Sequence, residues 1–153
     1  MKRSPELTPL SHDHHQALFV AMQLKRVTPD DSPFAVQAFL DFTEETGEPH
    51  FRIEEEILLP AWLATVGAGG QGEQAVAMAA RVSAEHLEIR ARARMLRAER
   101  VGADDLRALG ELLDRHVRFE ERELFPLIEA SLDEGAIGAI GAEIAAAEAD
   151  SSA

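Results

Sequence analysis

Residues 50–60 read HFRIEEEILLP and residues 116–126 read HVRFEERELFP, so one motif occurs twice in the chain. Six of the eleven positions are identical when the two histidines are aligned. Each copy places a glutamate, Glu54 or Glu120, four residues after its histidine, which on a helix is one turn away on the same face. A single pair of this kind is usually an exposed contact. Its repetition with matching apolar neighbours instead predicts that the two copies bind one cation or two neighbouring ones.

The composition is that of one acidic domain. The 153 residues suit a single core, and no apolar run is long enough for a membrane span. The first residues lack the apolar stretch of a secretory signal, and the absence of cysteine fits a reducing compartment, so we expect a cytoplasmic protein. The net charge of −13 repels phosphate backbones. We therefore expect neither nucleic acid nor a membrane among the partners.

Helix start and stop signals predict two helices in the first half of the chain. Thr8 and Ser32 each precede a proline, which predicts an N-cap followed by proline at the first helical position. The first helix is expected to run to about Val27. The second is expected to kink or break at Pro49, which cannot donate a backbone hydrogen bond, and to resume towards Ala64.

The second half of the chain predicts two more helices. The glycine-rich run 67–72 is interpreted as a linker, because no strand precedes it. The third helix is expected from about Glu73 to Arg100, and the fourth from Asp104 or Asp105. Four helices joined by short loops, without any strand pattern, predict an all-α fold, an antiparallel up-and-down four-helix bundle.

We expect the chain to be organised in two regions. Residues 1–132 form the bundle, and residues 133–153 form an Ala/Gly-rich C-terminal tail that is partly helical. Within the tail, a short helix is predicted to carry Ile137, Ile140 and Ile144, and to cover the end of the bundle or meet a partner. The last residues are expected to be disordered.

Each predicted helix carries a histidine at or beside its apolar stripe. A lone histidine there is more often a hydrogen-bonded core residue than a ligand, but one on every helix, two of them followed by an inward glutamate, is hard to explain in that way. Two ionised carboxylates buried without partners would cost several kcal/mol each, and a cation removes that cost. The predicted metal ligands are His14, His50, Glu54, His86, His116 and Glu120.

The first helix offers a choice of ligand, because the segment SHDHHQ contains His12, His14 and His15. An inward His14 shares its stripe only with apolar residues, whereas an inward His15 would share its stripe with Ser11 and Lys25. His14 is therefore the better candidate and His15 the alternative. His12 is interpreted as exposed or as an outer partner of a ligand.

The types of ligand favour two transition-metal ions. Nitrogen and oxygen donors without sulfur suit iron, manganese or zinc. Six ligands exceed what one tetrahedral zinc ion uses, whereas two ions that share both glutamates would each receive two imidazoles and two carboxylate oxygens. Both ions would keep open positions, which favours the binding of a small molecule.

The order of these residues resembles the haemerythrin-like HHE cation-binding family: histidine on helix one, His-x-x-x-Glu on helix two, histidine on helix three and His-x-x-x-Glu on helix four. The resemblance spans residues 10 to about 130 and includes LSHDHH and both copies of the repeated motif. It implies a four-helix bundle with a non-haem di-iron centre that binds dioxygen, nitric oxide or peroxide, or responds to iron or redox state.

Two positions differ from the oxygen-carrying members of that family. Those proteins have a second histidine four residues after the first on helix three, where this chain has Arg90. They also have an aspartate five residues after the last histidine, where this chain has Glu121 behind the better-placed Glu120. A more open and more symmetric centre is expected, which weakens the case for reversible oxygen carriage.

Three functions are compatible with these observations. In the first, the chain is a di-iron protein that binds or senses dioxygen, nitric oxide, peroxide or iron itself, through a homodimer or a separate signalling partner. In the second, it is an enzyme that reduces or disproportionates peroxide or nitric oxide. In the third, it is a structural bundle with a single zinc ion or no metal.

Overall fold

The computed structural model describes residues 2–67, 69–99 and 101–151, which form five helices and no strand. The helices are α1 (Thr8–Lys25), α2 (32–66), α3 (Gly72–Arg97), α4 (103–131) and α5 (Glu134–Ser151). Short connections make α1 to α4 run alternately up and down, and α1 packs most extensively against α4. The predicted all-α antiparallel four-helix bundle is thereby confirmed. In the described ranges, we find no helix long and apolar enough to cross a membrane.

Helix boundaries differ from the predictions by a few residues. The Thr8 hydroxyl donates to the Ser4 carbonyl at 2.9 Å, and the Ser32 hydroxyl to the Thr28 carbonyl at 2.8 Å. Both residues therefore lie inside the first helical turn, and the prediction that they are N-caps is wrong. The helix α3 ends before Arg100, which lies outside the described residues, as does Ala68 in the predicted linker.

Of the kink or break predicted at Pro49, the break is absent, because α2 is continuous through two π turns. The three π turns of the chain's described part are Thr43–Gly47 and Glu54–Leu58 in α2 and Glu120–Leu124 in α4. Proline follows each of them by two residues, at Pro49, Pro60 and Pro126. A proline ring in an α-helix collides with the carbonyl four residues earlier, and in all three cases that carbonyl belongs to the middle residue of the π turn. The wider turn accommodates the ring, so the helix continues.

The π turns also change which residues face the interior. Each adds one residue to its turn, so the inward positions of α2 recur every four residues. From His50 onward, buried residues at this spacing are Glu54, Leu58, Trp62 and Val66. In α4 the same insertion turns Ile128 inward, where it is fully buried, and leaves its neighbour Leu127 only partly buried. Both His-Glu motifs end at the first residue of a π turn.

Two apolar cores lie above and below a polar layer. The first core contains Leu24, Phe39, Ile89 and Leu113, and the second contains Leu58, Trp62, Phe125 and Ile128, among others. Along each helix the chain passes from one core to the other at a histidine: Leu10 belongs to the second core and Ala17 to the first, with His14 between them. The polar layer is thereby shielded from water on both sides.

The tail helix α5 is longer than predicted and packs beside α2. It has 18 residues, and Ile137, Ile140 and Ile144 join the second core. It contacts the segments Glu48–Ile53 and Glu54–Leu58 of α2, so it lies along the side of the bundle. The predicted disordered end falls on residues 152–153, which lie outside the described residues, while the chain is helical up to residue 151.

A glycine in α5 allows close approach to the N-terminal segment. A Cβ atom on Gly141 would lie 2.6 Å from Cγ and 2.9 Å from Cβ of Glu6, whereas one on Gly138 meets nothing within 4 Å. We expect Gly141→Ala to lower the free energy of unfolding by roughly 1 kcal/mol, because overpacking outweighs the better helix propensity of alanine. Gly138→Ala, its control in the same helix, should raise it by up to about 1 kcal/mol. Urea denaturation measures both changes, and equal stabilisation by the two variants would contradict the close packing.

Candidate metal centre

The six predicted ligands meet in the polar layer between the cores. They are His14, His50, Glu54, His86, His116 and Glu120, and their relative exposures run from 0% to 4%. The structure turns His14 inward and leaves His12 and His15 exposed. Each of the four bundle helices therefore contributes one imidazole, and α2 and α4 each add one carboxylate.

One half of the layer is formed by the histidines of α1 and α2. The Nε2 atoms of His14 and His50 lie 3.2 Å apart. His14 Nε2 lies 2.8 Å from Glu120 Oε2, and His50 Nε2 lies 3.1 Å from Glu54 Oε1. All four residues are buried, and one ligand atom from each lies within 4.8 Å of the others.

The other half repeats this arrangement with the histidines of α3 and α4. The Nε2 atoms of His86 and His116 lie 3.2 Å apart. His86 Nε2 lies 3.2 Å from Glu54 Oε2, and His116 Nε2 lies 3.0 Å from Glu120 Oε1. Each glutamate thus presents one oxygen to each half. Ligand atoms at about 2.0–2.2 Å from a metal ion are about 3–3.5 Å from one another, so these separations match two neighbouring coordination spheres that share both carboxylates.

The four carboxylate oxygens of Glu54 and Glu120 need a positive charge between them and the imidazoles. None of the carboxylate oxygens of Glu54 and Glu120 accepts a hydrogen bond, although they are fully buried. Protons on all four Nε2 atoms would not solve this, because two N–H groups would then face each other across 3.2 Å in each half. A cation in each half satisfies the carboxylates and the imidazole lone pairs together.

Comparison with known families supports this interpretation. Residues 7–128 match the family described as Hemerythrin HHE cation binding domain. The chain belongs to this haemerythrin-like family. Comparisons with curated proteins and with solved structures gave no match. The family assignment makes cation binding the property to expect of the buried layer.

In this haemerythrin-like domain, an outer ring of carboxylates holds the outer nitrogen, Nδ1, of each of the four buried histidines. His14 Nδ1 lies 2.6 Å from Glu121 Oε1, His50 Nδ1 3.0 Å from Asp13 Oδ2, His86 Nδ1 3.3 Å from Glu55 Oε1, and His116 Nδ1 3.2 Å from Glu85 Oε2. Because an ionised carboxylate can only accept, Nδ1 carries the proton and donates it, and Nε2 is left to bind a metal. Carboxylate partners of this kind fix the orientation of metal-binding imidazoles.

The contacts of the outer ring run once around the bundle, and each joins an acid of one helix to the histidine of another. Glu121 of α4 holds the histidine of α1, Asp13 of α1 that of α2, Glu55 of α2 that of α3, and Glu85 of α3 that of α4. These four acids are not among the residues predicted from the sequence. A signal was present, since each of the four acids is the immediate neighbour of a predicted ligand in the sequence. Which histidine each acid serves depends on how the helices pack.

Two arginines of α3 support the outer ring. The Arg90 guanidinium donates to both oxygens of Glu55, at 2.7 and 2.9 Å, and also to Glu48. The Arg81 Nε donates to Glu85 at 2.8 Å. Arg90 therefore stands where oxygen carriers have their second histidine on helix three. Its role here is indirect, because it binds Glu55, which in turn holds His86.

The charges of the layer shift the pKa values of its members strongly. Burial alone would lower the pKa of His116, but the Glu120 carboxylate outweighs burial and raises it to about 10. The pKa of His50 is raised well above its usual value, as burial is outweighed by the charge of Glu54. Burial would raise the pKa of Glu121, yet hydrogen bonds from His14, Ser11 and Arg3 lower it to about 2. Protons and metal ions therefore compete for the same nitrogens.

This competition predicts opposite pH dependences with and without metal. The pKa of His116 rises from 6.5 to about 10 on folding, so its proton stabilises the metal-free fold fully below pH 6.5. We expect the unfolding free energy of the metal-free protein to fall as the pH rises from 6.5 towards 10. The metal-loaded protein should instead lose stability on acidification, because protons displace the ions. Urea titrations across this range measure both, and a metal-free protein equally stable at both ends would contradict the first expectation.

Neutralising one outer carboxylate should weaken metal binding without preventing it. We expect Glu85→Gln to reduce metal affinity roughly 10- to 100-fold, because the amide no longer holds the His116 imidazole by a charged hydrogen bond. Glu88→Gln is the control, since Glu88 is exposed on α3 and pairs with Arg92. Competition with a chromophoric chelator measures both affinities. Equal affinities for the two variants would show that the outer ring has no influence on the metals.

Proposed function

We propose that the protein binds two non-haem iron ions in the polar layer, and that this centre binds one small ligand, namely dioxygen, nitric oxide or peroxide. The observation that carries the proposal is the set of four buried carboxylate oxygens without hydrogen bonds, which face four inward Nε2 atoms in two symmetric halves. Two shared carboxylates and two imidazoles for each ion suit iron, manganese or zinc, and the choice of iron is supported by the resemblance to di-iron haemerythrins.

The chain's own side chains would hold the ions and keep them in place. His14 and His50 would hold one ion, His86 and His116 the other, and the two glutamates of the layer would bridge them. When bound, iron supplies a Lewis-acidic and redox-active centre for a small ligand. Phenylalanine rings support the imidazoles: Phe51 stacks on His86 at a centroid distance of 3.8 Å. This stacking restricts rotation of the imidazole ring and excludes water.

A small cavity beside the polar layer favours a very small ligand. Its volume is about 10 Å³, close to the space needed by a single water-sized molecule. The residues that line it are Asp13, His14, Ala17, Phe42, His50, Phe51, Leu113, His116 and Val117. Apart from the ligands and Asp13, this lining is apolar. An uncharged diatomic molecule is therefore favoured there over a larger or more polar one.

The experiment is metal analysis of protein purified without added metal, followed by ligand titration. We expect two iron atoms per chain and a change in visible absorption when dioxygen, nitric oxide or peroxide is added. A chelator should remove the iron and lower the melting temperature, because ligands that bind the native state stabilise it. One zinc atom per chain, or no metal, would overturn the proposal. Consumption of many equivalents of nitric oxide or peroxide would indicate an enzyme in place of a binding protein.

A further inference from the structure

An apolar stripe runs along the solvent side of α3. In the described part of the chain, five large apolar side chains are exposed, and three of them lie on this helix: Val76, Leu87 and Met95, at 57%, 68% and 45% relative exposure. Alanines fill the positions between them. The outer stripe of α3 consists of Val76, Ala80, Ala84, Leu87, Ala91 and Met95, all exposed.

The outer stripe is separate from the face that α3 packs against the bundle. The buried positions of α3 include Ala79, Val82, His86 and Ile89, which lie on the opposite side of the helix. A helix with apolar residues on two opposite sides is usually covered by protein on both sides. In this chain the inner side is covered by the bundle, and the outer side is left for another molecule.

The spacing of the outer stripe matches the stripe of a second, antiparallel copy. Residue 76 pairs with 95, residue 80 with 91, and residue 84 with 87, and all three pairs are centred on the same point between residues 85 and 86. A twofold axis at that point places Val76 opposite Met95 at both ends. Ala80 then lies opposite Ala91, and Leu87 lies opposite the small Ala84 next to the axis. In a twofold interface each residue meets the partner in this reciprocal way.

The charges of α3 favour the same antiparallel orientation. Its last turns carry Arg92, Arg94 and Arg97, whereas its first turn carries Glu73. An antiparallel pair brings the arginines of one copy near the glutamate of the other, and each helix C-terminus near the partner's N-terminus, which is favourable. A parallel pair would place the arginines of the two copies side by side.

A groove beside the stripe has room for part of the partner. It has a volume of about 330 Å³ and lies between α3 and α4, lined by Ala91 and Met95 of the stripe together with Val101 and Leu109. In the antiparallel pair, the partner's first turns of α3 lie at this end of the helix. We therefore propose that the protein forms a twofold homodimer through the outer stripe of α3, with the side chain at position 76 of each copy entering this groove.

Sedimentation analysis of the metal-loaded protein over a range of concentrations tests the dimer. An interface formed mainly by one pair of helices is at the small end of specific interfaces, so we expect a dissociation constant on the order of micromolar. Leu87→Glu should weaken the dimer by at least about 100-fold, since it buries two like charges next to the axis. Phe34→Glu, at an even more exposed site on α2 (79% exposed), should leave the dissociation constant unchanged. A monomeric wild type, or a Leu87→Glu variant that dimerises normally, would overturn the proposal and leave the stripe to a different protein.

Cysteine cross-linking tests the orientation, because the chain has no cysteine of its own. A mixture of Ala80→Cys and Ala91→Cys proteins should form the mixed disulfide under mild oxidation, as these positions face each other across the pair. Neither protein alone should cross-link efficiently, because its two cysteines are separated by ~16 Å along the helix, beyond the ~7 Å limit between Cα atoms in a disulfide. Cross-linking of either single variant as strongly as the mixture would exclude the antiparallel register.

Discussion

Replacing Glu120 by alanine is expected to leave the chain unable to hold two metal ions. Glu120 Oε2 lies 2.8 Å from His14 Nε2 in one half of the layer, and Oε1 lies 3.0 Å from His116 Nε2 in the other. The substitution therefore removes one oxygen from both proposed coordination spheres. We expect metal affinity to fall by more than about 100-fold, because loss of an outer partner alone costs roughly 10- to 100-fold.

Metal content after dialysis, together with the melting temperature, measures this effect. The variant should retain fewer than half the ions of the wild type and should show no stabilisation on adding metal. Glu123→Ala is the matched control, because Glu123 lies in the same π turn but is exposed. It should bind metal as the wild type does. Two ions retained by Glu120→Ala would show that this carboxylate is not shared, and would remove the basis of the dinuclear proposal.

Removal of α5 should be the most damaging change to stability. Ending the chain after Asp133 deletes Ile137, Ile140 and Ile144, which are at most 8% exposed, and uncovers the second core beside Leu58. Burial of each isoleucine contributes roughly 1.5–3 kcal/mol, so the loss is a large part of the ~5–15 kcal/mol that stabilises a domain. We expect the metal-free truncated chain to be largely unfolded at room temperature.

Circular dichroism melts of the two lengths of chain test this expectation. Because α5 contacts the π turn that carries Glu54, adding metal should recover only part of the lost stability. A chain ending after Ala149 is the control, since it keeps all three isoleucines and loses only exposed described residues. An unchanged melting temperature for the chain that ends after Asp133 would show that residues 134–153 are dispensable and that the bundle is an independent domain.

The convergence of the six predicted ligands could be anticipated, because the signal in the sequence is local and repeated. His50 with Glu54, and His116 with Glu120, are each one turn apart, and their neighbours match between the two copies. His14 was preferred over His15 because its stripe is apolar, and the structure turns His14 inward. Such patterns depend only on the period of a helix.

The outer ring was not predictable, because every bond in it joins two helices. The distance from His50 to Asp13, for example, depends on how α2 packs on α1, and the sequence spacing of 37 residues contains no information about it. The π turns were missed for a related reason. A proline inside a helical pattern predicts a break, whereas here the surrounding cores keep Pro49 within a continuous helix.

By itself, the sequence determined the number of bundle helices through its periodicity, and the family through its repeated motif. It also determined the kinds of atoms available to a metal, because the chain is rich in histidine and glutamate and has no cysteine. Tertiary structure alone decided that both carboxylates face both halves of the layer, that four outer acids hold the histidines of neighbouring helices, and that α5 supports one side. All three features depend on distances between helices, which are set by the packing of side chains that lie far apart in the sequence.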